Sequence, residues 1–370
     1  MNSDVHWMRR ALRLALRGYG QTSPNPMVGA VLVRGGKVIG EGWHRKAGEP
    51  HAEVEAIRDA QHKGQRVTGA TLYVTLEPCC THGRTPPCTE AIVKAGIARV
   101  IVGAIDPNPR HSGRGLKSLS ASGVRVTSGI LESNATRLNE AFNHWIVKGT
   151  PFVTVKAAMT LDGKIAAVGG ESKWITGEIA RAYGMRLRQR ADAILVGVNT
   201  ILADDPSLTF RPTKKRRDNG KVLRRMILDT QARTPLVAKV VTDRWAHNTI
   251  VVIGKDAPQR RAAALAKKAT VWHAPTKGNR IDLRWVLRRL GKENVTDLLV
   301  EGGGEVNASF LLGRLAHRIA FFYAPKILGG RASIKAVGGD GLLHKNEWLR
   351  LREVEWENVG RDLLLTARVD

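Results

Sequence analysis

The chain is short of cysteine, with three in 370 residues, of aromatic residues, at 5%, and of acidic residues, with 33 against 59 lysines and arginines. No run of eighteen apolar residues occurs, which argues against a membrane-spanning helix. No internal repeat divides the chain, so it offers no repeat architecture. The three cysteines are an odd number confined to positions 79–88. They cannot build a disulfide framework and read as reduced thiols, serving metal or catalysis in a cytoplasmic protein. Few aromatics leave few platforms for stacking nucleic-acid bases. The acidic deficit leaves a formal net charge of +26. That charge implies anionic partners, phosphorylated small molecules or nucleic acid, and non-specific polyanion binding; a solvated basic surface accounts for it equally well.

The length allows two domains, and 43% hydrophobic with 25% charged residues is ordinary for a soluble globular protein. The opening HWMRRALRLALRGYG reads as a basic amphipathic first helix, because strand-like VGAVLV follows almost at once. VGAVLVRGGKVIGEGWH gives two strands around Gly35–Gly36, a hairpin signal. HAEVEAIRDAQHKG has helical spacing of Val54, Ile57 and Ala60 and ends on Gly64 as a cap. ATLYVTLEP and ARVIVGAI read as strands, CTEAIVKAG and LNEAFNHWIVKG as helices. GTP at 149–151 breaks the pattern, which places a boundary between residues 1–148 and 149–370. In the second part FVTVKAAM, ADAILVGV, RRMILD, NTIVVIG, TDLLVE and HRIAFFYAP read as strands with helices between several of them. RPTKKRRDNGKVLRR, residues 211–225, carries eight Lys/Arg and one Asp and reads as a solvated loop.

The cysteines fall in LEPCCTHGRTPPC. Cys79 and Cys88 each follow a proline, and proline favours the first turn of a helix, where free N–H groups stabilise an anion. Both sulfurs are therefore expected at helix starts as thiolates ready for a metal. His51, opening the HAE helix, is the third ligand. Two thiolates and one imidazole neutralise Zn²⁺ and leave a fourth position for an acidified water. Glu53 points away from His51 on a helix and suits the water better than the metal, as a proton shuttle. One His, two Cys and a non-ligand Glu form the constellation of zinc base deaminases, usually H-x-E followed by P-C-x-x-C. Here eight residues separate the two cysteines, in a loop that Gly83, Pro86 and Pro87 can fold back. Cys80 reads as a bystander. A fourth ligand from Cys80, His82 or His44 would instead make the zinc structural. Two other readings stand beside the first: a tRNA or single-stranded DNA base deaminase with a basic accessory domain, and a non-catalytic, zinc-stabilised nucleic-acid-binding protein.

TSPNPMVGAVLV, HAEVEAI, LEPCCTHGRTPPCTEAI and DPNP together resemble the bifunctional pyrimidine deaminase–reductases of riboflavin biosynthesis. The long PCxxxGxTPPC loop, a departure from other zinc deaminases, is a mark of that family. The likeness continues in VKAAMTLDGKIA, SKWIT, ILVGVNTILADDPSLTFR, LLVEGGGEV and YAPKILGG, and so covers nearly the whole chain. It implies an α/β protein of two domains, a cytidine-deaminase-like α/β/α sandwich followed by a dihydrofolate-reductase-like α/β domain. It also implies two reactions. The first is zinc-dependent hydrolytic deamination of 2,5-diamino-6-ribosylamino-4(3H)-pyrimidinone 5′-phosphate. The second is NADPH-dependent reduction of the ribosyl group to ribityl, giving 5-amino-6-ribitylaminouracil 5′-phosphate. Carried over by motif, Glu53 is catalytic and Asn25, His44, His82 and Arg84 line the first pocket. In the reductase, Ala158, Trp174, Thr200, Asp204 and Gly302, Gly303 and Gly304 fall at cofactor positions. Ser172, Arg188 (for the substrate phosphate), Leu208, Arg211 and Glu301 fall at substrate positions. The roles of Lys156 and Asp162 stay open, and a homo-oligomer is implied. Independently of the likeness, a glycine triplet between a strand and a helix suits close approach of cofactor phosphates. It is not the G-x-G-x-x-G of a Rossmann fold.

Overall fold

The computed structural model describes residues 3–82, 86–172, 174–211 and 221–370. Arg84 and residues 212–220 of the basic stretch lie outside the described residues. The chain divides into two compact units, Met1–Gly149 and Thr150–Asp370.

The first unit runs α1 (Ser3–Ala15), β1 (Gly29–Arg34), β2 (Lys37–Trp43), α2 (Ala52–His62), β3 (Thr71–Leu76), α3 (Cys88–Lys94), β4 (Arg99–Ala104), α4 (Arg114–Ala121), β5 (Arg125–Ser128), α5 (Glu132–Leu138) and α6 (Glu140–Lys148). Its sheet has the order β2-β1-β3-β4-β5. The β1–β2 and β1–β3 pairs are antiparallel, whereas β3, β4 and β5 run parallel. Successive side chains of a strand leave opposite faces, so each apolar run feeds two cores. Leu32, Leu72, Val74 and Val100 pack with Ala56, Ile92 and Leu119 from α2, α3 and α4. Val31, Tyr73 and Ile101 pack with Met8, Ala11 and Leu14 of α1. Three layers result, an α/β/α sandwich. Helix α2 seats flush on β2. A Cβ at Gly40 would come within 2.3 Å of the Ala56 carbonyl oxygen, and one at Gly42 within 2.3 Å of that of Ala52. The buried stripe of α2 is accordingly Ala52, Ala56, Ile57 and Ala60, while Val54 of the expected stripe is only half-buried.

The second unit runs β6 (Phe152–Thr160), β7 (Lys164–Ala166), α7 (Glu178–Arg190), β8 (Ala193–Gly197), α8 (Val198–Asp204), β9 (Arg224–Leu228), α9 (Lys239–Thr242), β10 (Thr249–Gly254), α10 (Gln259–Ala266), β11 (Thr270–Ala274), β12 (Thr276–Lys277), β13 (Arg280–Ile281), α11 (Leu283–Lys292), β14 (Asp297–Val300), α12 (Gly304–Leu312), β15 (Arg318–Ala324), β16 (Ile334–Lys335), β17 (Leu351–Val359) and β18 (Asp362–Val369). Nine strands form one mixed sheet, ordered β11-β10-β9-β8-β14-β6-β15-β18-β17. β11 through β15 in that order are parallel, and β18 and β17 add antiparallel. Central β14 is buried at all four residues, and after Asp297 its Leu298–Leu299–Val300 form an apolar run. Leu195, Val252 and Leu298 face Leu287, Leu290 and Phe310 of α11 and α12. Ile194, Val251 and Leu299 face Ile201 of α8 and Leu265 of α10. β17 lies on the sheet edge with nearly every residue exposed, its alternating Val354 and Trp356 included. Among the described residues no helix is long and apolar enough to cross a membrane.

Candidate active sites

In the first unit, His51, Cys79 and Cys88 offer one nitrogen and two sulfurs, all within 4.8 Å of one another. His51 Nδ1 lies 3.2 Å from the Cys88 sulfur and 3.6 Å from that of Cys79. His51 is the N-cap of α2, in extended backbone, so its side chain leaves the chain before helical geometry begins. Glu53, in the first turn, therefore does not diverge from it as expected for two helical residues. Its carboxyl is buried beside the Cys88 thiol. Burial pushes that carboxyl up to about 7, into the range a proton shuttle requires.

Only one of the two cysteines begins a helix. Cys88 opens α3 behind Pro87, whereas Cys79 lies in irregular chain just beyond β3. Pro78 ends the strand there without starting a helix. The backbone N–H of Cys88 nevertheless donates to the Cys79 sulfur at 3.3 Å, so the helix start serves the thiolate of the other cysteine. The bond between the two side chains pulls the Cys79 thiol down to about 4. The same bond, with burial, pushes Cys88 up. A divalent cation at this site would favour the thiolate form of both sulfurs. Three ligands of this type, with no fourth protein ligand among the described residues, fit a catalytic rather than a structural zinc.

His44 is buried and edge-on to His51, with ring centroids 5.3 Å apart. Its Nδ1 lies 3.1 Å from the Pro50 carbonyl oxygen and its Nε2 lies 3.1 Å from Asn25 Nδ2. The carbonyl can only accept, so Nδ1 carries the proton and Nε2 accepts from the Asn25 amide. Burial lowers the pKa of His44, in keeping with that neutral ring. Asn25 is thereby fixed through its side-chain amide. Asn139 steadies this loop: its Oδ1 accepts from Met27 N–H at 2.8 Å and its Nδ2 donates to Met27 O at 2.9 Å. His82, by contrast, is largely exposed and stands 4.0 Å from Glu90. Cys80 turns to His111 at 3.8 Å.

In the second unit a cleft of about 370 Å³ is lined by Lys156, Ala158, Trp174, Arg188, Arg211 and Glu301, among others. Arg188 and Glu301, expected as separate substrate contacts, hold one another: Nε to Oε1 is 2.8 Å and Nη2 to Oε2 is 3.0 Å. Arg188 Nη1 also donates to Thr209 O at 3.0 Å, so part of the guanidinium is spoken for. Lys156 Nζ stands 3.6 Å from Glu301 Oε2. Burial alone would raise the Glu301 carboxyl; Arg188 and then Lys156 outweigh it and hold it at about 2.

The other expected contacts fall into smaller groups. Ser172 Oγ donates to Asp204 Oδ1 at 2.9 Å. Trp174 is exposed, with the Arg181 guanidinium 4.6 Å above its ring. Gly303 caps α12 with no side-chain bond, and a Cβ there would meet nothing closer than Thr200 Oγ1 at 3.7 Å. Its flanking glycines serve the protein itself: Cβ atoms at Gly302 and Gly304 would lie 2.5 Å from Val306 and 2.2 Å from the Lys335 carbonyl oxygen. The expected phosphate approach is thus confined to Gly303. Leu208, at φ +50, has its side chain in the core, because the chain turns it inward there; a ligand could meet only its backbone.

Two anchors escaped the sequence reading. Asp162 accepts from Leu328 and Gly329 N–H at 3.1 and 2.7 Å and from the Thr160 hydroxyl at 2.6 Å, which joins the LDG turn to the KILGG segment. The Thr160 bond and then those two N–H groups hold its carboxyl at about 2. Arg225 corrects the reading of 211–225 as a solvated loop. It is the second residue of β9, almost fully buried, and donates to Asp243, Thr249, Val240 and Ser207, satisfying all five N–H groups. Isolated arginines rarely bury; this one does because every donor finds an acceptor.

Residues 1–104 match the cytidine and deoxycytidylate deaminase zinc-binding region, and residues 151–365 match the RibD C-terminal domain. The riboflavin biosynthesis protein RibD of Aquifex aeolicus is 44% identical over 364 residues, 98% of this chain and 97% of that protein. The structure of Acinetobacter baumannii RibD superposes with a TM-score of 0.88 at 36% identity, covering 100% of this chain and 99% of that one. A diaminohydroxyphosphoribosylaminopyrimidine deaminase/5-amino-6-(5-phosphoribosylamino)uracil reductase from Thermotoga maritima gives 0.83 at 35% identity, with 100% and 99% covered. A His/Cys cluster able to hold a metal in the unit that matches a zinc-binding deaminase region, a match to the RibD C-terminal domain later in the chain and this end-to-end likeness together establish that the chain belongs to the RibD family of riboflavin-biosynthesis deaminase–reductases.

Proposed function

We propose that this chain performs two consecutive reactions. Residues 1–148 deaminate 2,5-diamino-6-ribosylamino-4(3H)-pyrimidinone 5′-phosphate hydrolytically, and residues 149–370 reduce the ribosyl group of the product to ribityl with NADPH. The observation that carries the first half is the buried Glu53 carboxyl against a three-ligand cluster of His51, Cys79 and Cys88. Zinc, when bound by those three side chains, supplies a water acidic near neutral pH. Glu53 takes the proton from the attacking water and passes it to the departing amino group, so that ammonia leaves. Asn25, positioned through His44 and Pro50, orients the pyrimidine, and His44, His82 and Arg84 belong to the same substrate-binding set.

The second half rests on the cleft that brings Ala158, Trp174, Arg188, Arg211 and Glu301 together. NADPH supplies the hydride when bound; no protein nucleophile is needed, and the chain contributes orientation and electrostatics. Ala158, Trp174, Thr200, Asp204 and the open N-terminus of α12 at Gly303 hold the cofactor. Ser172, the backbone at Leu208, the remaining N–H groups of Arg188, Arg211 and Glu301 hold the substrate. A cytoplasmic homo-oligomer is part of the same reading, with light scattering as its check.

Zinc quantitation with a coupled assay on the diaminopyrimidine phosphate tests both halves. Ammonia release without cofactor, followed by NADPH oxidation that depends on it, is the expected result. NADPH oxidation preceding ammonia release, or turnover by a metal-free preparation, would overturn the order or the chemistry.

A further inference from the structure

We propose that Glu77 is a positioning residue of the deaminase site, clamping the segment Asp106–Gly115 against the strand end that carries Cys79; this rests on the deaminase reading above. Glu77 is buried at 4% exposure, two residues before the metal ligand. Its Oε2 accepts from the N–H groups of Asp106 at 3.2 Å and Gly113 at 2.9 Å, and its Oε1 accepts from Gly115 at 2.8 Å. Its own N–H donates to Ala104 O at 2.9 Å. The carboxylate charge is thus met by three backbone N–H groups and by the N-terminal end of α4, where such a charge is favoured.

The contact bears directly on the ligand. A Cβ at Gly115 would stand 2.2 Å from the Pro78 carbonyl oxygen, so the first turn of α4 touches the peptide that joins Pro78 to Cys79. Midway along the segment, His111 reaches the Cys80 sulfur at 3.8 Å. Both ends and the middle of 106–115 therefore meet residues 77–80, and the segment forms a wall beside the cluster. Both carboxyl oxygens of Glu77 are needed as acceptors, since three donors converge on the two of them. An amide has one acceptor oxygen and would turn N–H against N–H.

E77Q in the full-length zinc enzyme tests the clamp, with reduction of the deaminated intermediate as internal control. Zinc content and reductase activity should stay at wild-type levels. The KM for deamination should rise about 10-fold or more, with kcat changing less, as expected for loss of a hydrogen bond to a charged group. Trypsin should cut faster after the exposed Arg110 and Arg114. G115A, which keeps the carboxylate but crowds Pro78, should show the same weighting toward KM, and it decides the matter if E77Q does not fold. Unchanged KM and unchanged cleavage would overturn the proposal, as would loss of zinc in step with loss of activity, which marks a merely structural role. If wild type itself released no ammonia, the parent reading would fail, while the cleavage rates would still support or refute the clamp.

Discussion

Arg188 and Glu301 face each other as a planar two-pronged ion pair, 113 residues apart in sequence and with about a tenth of either side chain exposed. Neither enters the cleft as an independent charge. E301Q strands Arg188 without a counter-charge in a low-dielectric site and should destabilise the second unit by about 3–5 kcal/mol, whereas R188M leaves Glu301 with Lys156 at 3.6 Å and should cost less. The double variant should lose less than the two singles combined. Denaturant unfolding followed in that unit gives the comparison, and strict additivity would show that the pair is not coupled.

The same carboxylate makes a pH signature. Glu301 titrates at about 2 in the folded chain against 4.5 for the free side chain. A depressed group contributes stability that is full above its unfolded value and is lost as pH falls through the folded one. Wild type should therefore weaken between roughly pH 5 and 2 more steeply than E301Q. Parallel stability curves for the two proteins would remove Glu301 from the account.

Glu53→Gln should retain zinc and fold, because the amide keeps the volume of the buried side chain. Ammonia release should fall about 10²- to 10⁴-fold, the usual worth of a positioned acid–base group. Reduction of an already deaminated substrate should not change, and a parallel loss there would point to misfolding instead.

Among the cysteines, C79S and C88S should lose zinc and deamination together. C80S should keep both, since Cys80 is turned toward His111. Metal analysis of the three purified variants separates the ligands from the bystander.

The glycine triplet divides by role. G304A forces a Cβ to within 2.2 Å of Lys335 O and should lower the Tm of the second unit. G303A has open space, its nearest atom 3.7 Å away, and should fold normally while raising the KM for NADPH. Equal thermal stability of the two variants would contradict this division.

Local chemistry was readable from the chain alone. The ligand set needs residue types, and His51, Cys79 and Cys88 sit in two short segments whose spacing and prolines narrow the choices. Strands such as β14 and β15 were readable because burial on both faces favours apolar stretches, Leu298–Val300 and Ile319–Phe322. β17 was not, because its residues are exposed and charged along the edge. Side-chain direction was also hidden at the metal site, where His51 precedes the helix and Glu53 lies within it.

Long-range pairing was decided only by the tertiary structure. Nothing near Arg188 names Glu301, nothing in LDG names Leu328 and Gly329, and nothing in the basic stretch marks Arg225 as its buried end. A charged side chain is stable inside only if its donors or acceptors are met. Those partners come from strands and loops brought together by sheet order, which composition and periodicity do not encode.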